Sequence, residues 1–234
     1  MAYHDVVAAT SGLVGYWKLD DSSGAAVDSS GGGRDLTYSG SPSYGAAAIV
    51  PGYLSTSFGG SVYATYGGVP TTATDNWTIE CWCSMAVPGQ MGMMYVGVDS
   101  SNGYGMSEGS TYGSSSDFVF LLGGVVWRGC SSNFPSNPFT GHIVLTRRSG
   151  TIRAYRNGTV VNTSYTDTPN APSSTMTIGR VGAANGMNFN GRLAHVAVYN
   201  VSVSDSDIEA HYNAGIAPAS GPIPVASQSY RQRR

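Results

Sequence analysis

MTIGRVGAANGMNFNGRLAHVAVYNVSVSDSDIEAHYNAG, residues Met176–Gly215, combines a strand, a Gly/Asn loop, a second strand and one short helix. In Arg192–Tyr199 the residues alternate, which predicts Ala194, Val196 and Val198 on one face and Leu193, His195, Ala197 and Tyr199 on the other. Ser204 is placed to cap the helix, with Asp207 three residues on. Ile208 and Tyr212 form an i,i+4 apolar pair, and Gly215 is expected to supply the stop. One late helix in a helix-poor chain points to a β-sandwich sealed near its C-terminus.

The segments upstream agree. In His142–Val161, HIVLTRRSGTIRAYRNGTVV, Ser149-Gly150 and Asn157-Gly158 are two-residue turn signals between alternating strands, which predicts a three-stranded antiparallel meander. Its Arg147, Arg148, Arg153 and Arg156 are read as a solvated face ahead of an anion site. Trp77–Met85, WTIECWCSM, is the strongest strand, with Trp77, Ile79, Cys81, Cys83 and Met85 facing a core. The opposite face carries Glu80 and Trp82, so it is not plain solvent surface; it is covered or lines a groove. Pro88–Asp117, rich in Gly, Ser, Tyr and Met, reads either as an adaptable recognition loop or as a long hairpin excursion.

The 234 residues include 32 Gly and 15 Tyr, and only 11% are charged against about a quarter in an ordinary domain. Such a composition favours short strands and tight turns over a helical bundle. A net charge of −2 gives nucleic-acid binding no global support, and no stretch reaches the ~20 apolar residues of a membrane span. Met1–Thr10 holds acidic Asp5 and lacks a basic start with an apolar run behind it, so no secretory signal is expected. Cys81 and Cys83 lie two apart on a strand, a spacing that disfavours a mutual disulfide; buried free thiols are expected, with Cys130. Glycoside hydrolysis needs two suitably placed carboxylates. The only glutamates are Glu80, Glu108 and Glu209, with no clustered acidic motif, and no His sits in a nucleophile motif, so no enzyme is expected.

Four segments, in order, resemble the laminin G-like, concanavalin A-like jelly-roll family from about Leu13 to Tyr212. They are GLVGYWKLDDSSGAAVDSSGGGRDLTYSG at the start, WTIECWCSM, HIVLTRRSGTIRAYRNGTVV, and NFNGRLAHVAVYNVSVSDSDIEAHY at the end. The resemblance implies an all-β, two-sheet antiparallel jelly-roll sandwich with one short C-terminal helix. It divides the chain into an N-terminal arm (1–10), the jelly roll (11–215) and a Pro-containing basic tail (216–234). Many relatives bind calcium, which makes Asp20 and Asp21 the candidates here, with carbonyls near Ser29–Gly31. Ala194 and His195 stand where relatives often place Asp and Glu, and an Ala cannot ligate, so no metal or other cofactor is expected. Tyr104, Tyr112 and Trp127 are the aromatic candidates for stacking on sugar rings.

Similar modules occur as minor tail proteins and capsid decorations of tailed bacteriophages. The eleven Arg against a single Lys, Lys18, fit a phage of a GC-rich host. The expected role is that of a non-enzymatic protein on the virion surface, most simply a minor tail protein. Its expected partners are other virion proteins, held through Ile216–Arg234 or Met1–Thr10, and host surface glycans; a homo-oligomer is compatible. A capsid decoration protein and a stand-alone lectin-like module are the alternatives.

Overall fold

The computed structural model describes residues 1–85, 91–109, 117–131, 138–161, 164–181 and 187–218. The chain opens with a helix α1 (Tyr3–Ala9), then β1 (Leu13–Trp17), β2 (Thr37–Ser39), β3 (Ser43–Ala46), β4 (Ser55–Gly59) and β5 (Tyr63–Tyr66). There follow β6 (Trp77–Met85), β7 (Met91–Val96), β8 (Tyr104–Gly109), β9 (Asp117–Leu122), β10 (Val126–Ser131) and β11 (Phe139–Arg148). The last elements are β12 (Thr151–Arg156), β13 (Thr159–Val160), β14 (Met176–Ile178), β15 (Arg180–Val181), β16 (Met187–Asn188), β17 (Asn190–Tyr199) and α2 (Asp205–Ile216).

Two antiparallel sheets form the sandwich. The first runs β13–β12–β11–β6–β17–β4–β3, with β1 also paired to β17; the second runs β10–β9–β8–β7–β14–β5–β2. The alternation in β6 sends Trp77, Ile79, Cys81, Cys83 and Met85 into the core between the sheets, where Phe118, Phe120, Ile143, Leu145 and Val196 meet them. Cys81, Cys83 and Cys130 are buried, and none of them is in a disulfide. Ser149 (φ 46°), Gly150 (φ 84°), Asn157 (φ 52°) and Gly158 (φ 77°) give both hairpins of the meander positive φ at two central residues. That backbone matches the twist of the flanking strands.

A smaller core lies on the outer face of the first sheet. Trp82, Val144, Ala194, Ala197 and Tyr199 meet Tyr3 and Val7 of α1, Val203, and Ile208 of α2. Among the described residues the jelly roll therefore carries two helices where one was expected. Residues 3–9, read from sequence as part of an arm, form a helix with Tyr3 and Val7 buried. Seven residues are too few for an isolated helix to persist in water, and too few to show periodicity; tertiary packing holds α1.

Three local expectations change. The alternation predicted for β17 is interrupted at His195, whose φ is 50° and whose N–H bonds the Lys18 carbonyl at 3.0 Å, and the register against β6 shifts between Ala194 and Ala197. This bulge puts Leu193 on the inter-sheet side with Val196 and Val198, and Ala194 on the outer side with Ala197 and Tyr199. Gly215 does not end α2, which continues to Ile216. A Cβ there would lie 2.1 Å from the Trp82 ring, so the glycine serves close packing. Within Pro88–Asp117 the recognition-loop alternative gives way to the hairpin one: residues 91–96 and 104–109 are buried, paired strands in the middle of the second sheet, while residues 88–90 and 110–116 lie outside the described residues. The glycines of these strands mislead because they mark crowding: a Cβ on Gly105 would sit 2.3 Å from Tyr95 Cδ2.

Candidate functional site

The strand registers place one row of residues across the outer face of the second sheet. Thr37, Thr65, Thr177, Tyr95, Gly105, Leu121 and Trp127 are successive cross-strand partners from β2 to β10. Tyr95 lies over Gly105 and donates its hydroxyl to the Asn102 carbonyl at 2.8 Å. Tyr95, Leu121 and Val181 form a small apolar cluster on which half-buried Trp127 and Met187 pack. At the other end Thr37 is exposed and Ser39, Tyr63 and Thr65 are half-buried, with the Arg180 guanidinium 4.0 Å above the Tyr63 ring. The face thus grades from hydroxyls and a cation–π pair to an indole.

Of the aromatic candidates, Trp127 stands on this face. Tyr104 does not: it faces the inter-sheet core, is fully buried, and stacks on Trp77 at 3.8 Å with ring planes 3° apart. Its place in a Gly-rich stretch suggested exposure, but β8 carries it into the core beside Met106. Tyr112 lies outside the described residues, as do residues 219–234 of the tail.

The calcium candidates are engaged otherwise. Asp20 pairs with Lys18 at 3.6 Å, and Asp21 accepts the Val27 N–H at 3.4 Å. The loop around Ser29–Gly31 is organised by Asp28. That carboxylate accepts the N–H groups of Tyr16 (3.1 Å), Ser30 (2.9 Å) and Arg34 (3.0 Å) and the Ser30 hydroxyl (2.6 Å). Burial pushes its pKa up, but these bonds, the Ser30 hydroxyl foremost, outweigh burial and hold it below the usual carboxylate range. Donors therefore surround Asp28 where a cation would need ligand oxygens, so Asp28 does not fit a calcium ion. Among the described residues no cluster of three or more His, Cys, Asp or Glu side chains is placed to hold a metal.

In the arginine patch Arg147 departs from the solvated reading, while Arg148 and Arg153 keep partly exposed side chains. Arg147 is 4% exposed and bonds Asp75 Oδ1 (2.8 Å), the Thr74 carbonyl (2.8 Å), the Asp167 carbonyl (3.2 Å) and the Thr168 hydroxyl (2.9 Å). Arg148 and Arg153 both reach Asp205, at 2.9 and 3.4 Å.

Beneath the two helices lies a polar cluster that the alternation of β6 hinted at and no motif revealed. Glu80 is 1% exposed and accepts Tyr199 OH (2.6 Å), His142 Nε2–H (2.9 Å) and His211 Nδ1–H (3.0 Å). The Thr10 hydroxyl gives its one proton to the Val6 carbonyl at 2.9 Å, so its 2.8 Å contact with His211 Nε2 is donated by His211. With both ring nitrogens donating, His211 is an imidazolium paired with the Glu80 carboxylate. Burial alone would lower the His211 pKa, yet Glu80 raises it; burial would raise the Glu80 pKa, yet His211, then His142, bring it well below the usual range. Nearby, His195 Nδ1 meets the Tyr16 hydroxyl at 2.7 Å, and burial pushes its pKa down to about 3. The cluster ties α1, α2 and β6 together and is closed to solvent, so it is a clasp and not a reaction centre.

Fold and surfaces define a two-sheet jelly roll with one outer face sealed by helices and the other buried along its middle, at Tyr95, Leu121 and Thr177, with Trp127 half-buried at one end and Thr37 exposed at the other. A family model described as the concanavalin A-like lectin/glucanases superfamily, of laminin G type, matches residues 58–209, and the chain belongs to that family. No curated protein matches it in sequence. Among solved structures, domain 4 of the GH43 arabinanase AbnA from Geobacillus stearothermophilus, in complex with arabinotriose, is similar at TM-score 0.66 and 14% identity. That match covers 86% of this chain and 98% of the domain. Trypanosoma rangeli sialidase is similar at TM-score 0.58 and 16% identity over 88% of this chain, which spans only 33% of the sialidase chain. The binding domain of botulinum neurotoxin DC, in complex with SialylT, is similar at TM-score 0.63 and 13% identity, covering 87% of this chain and 51% of that one. At these identities the likeness establishes the fold, which serves glycosidase and sialidase proteins and binding domains alike.

Proposed function

We propose that this chain is a non-catalytic saccharide-binding module, displayed on the surface of a tailed-phage virion as part of the tail. The observation that carries the binding reading is the outer face of the second sheet, where half-buried Trp127 ends a row that begins in hydroxyls. An indole fixed by packing offers a sugar ring an apolar face at little entropic cost, and the hydroxyls of Thr37 and Thr65 lie at the far end of the same row. Two similar structures, an arabinanase domain in complex with arabinotriose and a toxin binding domain in complex with SialylT, are consistent with such a use of the fold.

The non-catalytic reading rests on the acidic side chains. Glu80, Asp28, Asp75, Asp167 and Asp205 each hold histidines, amides or arginines in place and are not poised as an acid–base pair across a cleft. The virion reading rests on the family resemblance and on arginine usage. Met1–Thr10 is committed to packing through Tyr3, Val7 and Thr10, so attachment falls to Ile216–Arg234.

A glycan array probed with the wild-type protein and with Trp127→Ala tests the binding reading. At least one glycan is expected to lose tenfold or more of its binding in the variant; hydrolysis of any bound glycan, or equal binding of every glycan by both proteins, would refute it. Mass spectrometry of purified particles tests the location, and absence of the chain from tails would refute that part.

A further inference from the structure

Between α2 and the β12–β13 hairpin, at the edge of the first sheet, lies an open groove of about 530 Å³. We propose that this groove is a second saccharide site, separate from the sheet face, and that it takes an uncharged oligosaccharide. It shares with the reading above only the class of ligand.

The walls are rigid. At Gly158 (φ 77°) the hairpin turn presses against the helix so closely that a Cβ there would meet Glu209 Cα and Tyr212 Cβ at 3.3 Å. Tyr155 donates its hydroxyl to Asp205 at 2.9 Å, and Arg148 and Arg153 neutralise that carboxylate within the wall. The Tyr212 ring is fixed by stacking on Trp82, with centroids 6.0 Å apart and planes 14° apart. Asn157 spends its Oδ1 on the His142 N–H at 2.9 Å, which orients its amide nitrogen.

What remains for a ligand is specific. The exposed side chains of Glu209, Asn213 and Thr159, the Asn157 amide nitrogen and the Tyr212 hydroxyl have no protein partner among the described residues. Together they offer a strong acceptor, two carboxamides and two hydroxyls beside a fixed aromatic ring. Sugar hydroxyls both donate and accept, so this mixture suits adjacent hydroxyls on one ring. Glu209 is the one unneutralised charge of the lining, and no cation in the lining is left to receive a carboxylate. Anionic sugars are therefore repelled, which sets the selectivity.

The test is isothermal titration of the full chain with arabino-, galacto-, manno- and gluco-oligosaccharides of three to five units. Sialyllactose serves as the anionic probe and tetralysine as the cationic one. Three further proteins are titrated: the double variant Glu209→Gln/Asn213→Ala, the single variant Thr159→Arg, and Trp127→Ala. Glu209, Asn213 and Thr159 are exposed, so the groove variants are expected to melt within a few degrees of wild type. A neutral oligosaccharide should lose at least tenfold in affinity in the double variant and in Thr159→Arg, and keep a binding step in Trp127→Ala. Unchanged neutral binding in both groove variants would overturn the proposal, as would groove-dependent binding of tetralysine or sialyllactose alone. If loss follows only Trp127→Ala, the groove fails and the sheet-face reading stands; if it follows only the groove variants, the reverse holds.

Discussion

The outer faces of the two sheets begin from the same alternating strands and end as opposites. On the first, β6 and β17 send Glu80, Trp82, Ala194 and Tyr199 outward, and two helices close over them. On the second, β7, β9, β10 and β14 send Tyr95, Leu121, Trp127 and Thr177 outward; among the described residues no helix covers them, and β15 and β16 pack against β7 instead, with Tyr95, Leu121 and Thr177 buried. A buried carboxylate needs compensating partners, so the first face had to recruit His142, His211 and Tyr199 and became structural. The second face carries no buried carboxylate in its row, and Trp127 packs half-buried on an apolar cluster there.

The largest way to break this contrast is at Glu80. Replacing it with Ala strands the His211 imidazolium in a buried site, and breaking a buried pair of this kind costs roughly 3–5 kcal/mol. Urea unfolding should show that loss, and hydrogen exchange should rise first in α1 and α2. Equal destabilisation from Trp127→Ala would erase the distinction between the faces.

Acid should open the first face by a second route. The His195 pKa stands at about 3, below its ordinary value, with Tyr3, Tyr16 and Tyr53 packed on it and Lys18, Glu80, His4 and His142 acting on its charge. A depressed histidine leaves the unfolded chain binding the proton first. Stability is thus complete above the ordinary histidine range and falls as pH drops toward 3, by about 1.4 kcal/mol per unit. His211 has the opposite sign: its raised pKa stabilises at low pH, and that contribution fades as pH rises through the raised value. The Glu80 contribution, from a lowered pKa, is lost only below the ordinary carboxylate range. Between pH 6 and 5, as an approximate window, His195→Asn should flatten the slope. An unchanged slope would remove His195 from the account.

Smaller in effect is Gly215→Ala, which drives a methyl into the Trp82 ring and should cost about 1–3 kcal/mol by overpacking. Smallest is Thr65→Ala on the second sheet, expected within about 0.5 kcal/mol of wild type, because Thr65 is half-buried on the uncovered face. Chemical denaturation distinguishes both.

The sandwich was legible because its signals are local. The turns at Ser149-Gly150 and Asn157-Gly158, the alternation of Trp77–Met85 and the Ser204 cap each specify their own geometry; the Asp207 N–H does bond Ser204 Oγ, at 3.1 Å. What stayed hidden depends on distant chain. The clasp joins residues 10, 80, 142, 199 and 211, and no spacing announces such a meeting. The bulge at His195 shows in no residue type, since a histidine in a strand reads as one more alternating position. Tyr104 was misplaced because a glycine needed for the Tyr95 ring resembles a glycine in a loop. Trp127 was singled out by residue type alone, and only the register shows which face it occupies.

The most direct test of the division between the faces is amide NMR mapping of a bound neutral oligosaccharide on the Glu209→Gln/Asn213→Ala variant, which silences the groove. The account predicts shifts along the second sheet, in Tyr63, Thr65, Leu121 and Trp127, with the resonances of Glu80, His142 and His211 unmoved. Shifts centred on the clasp and its helices, or none on the second sheet at saturating sugar, would contradict it.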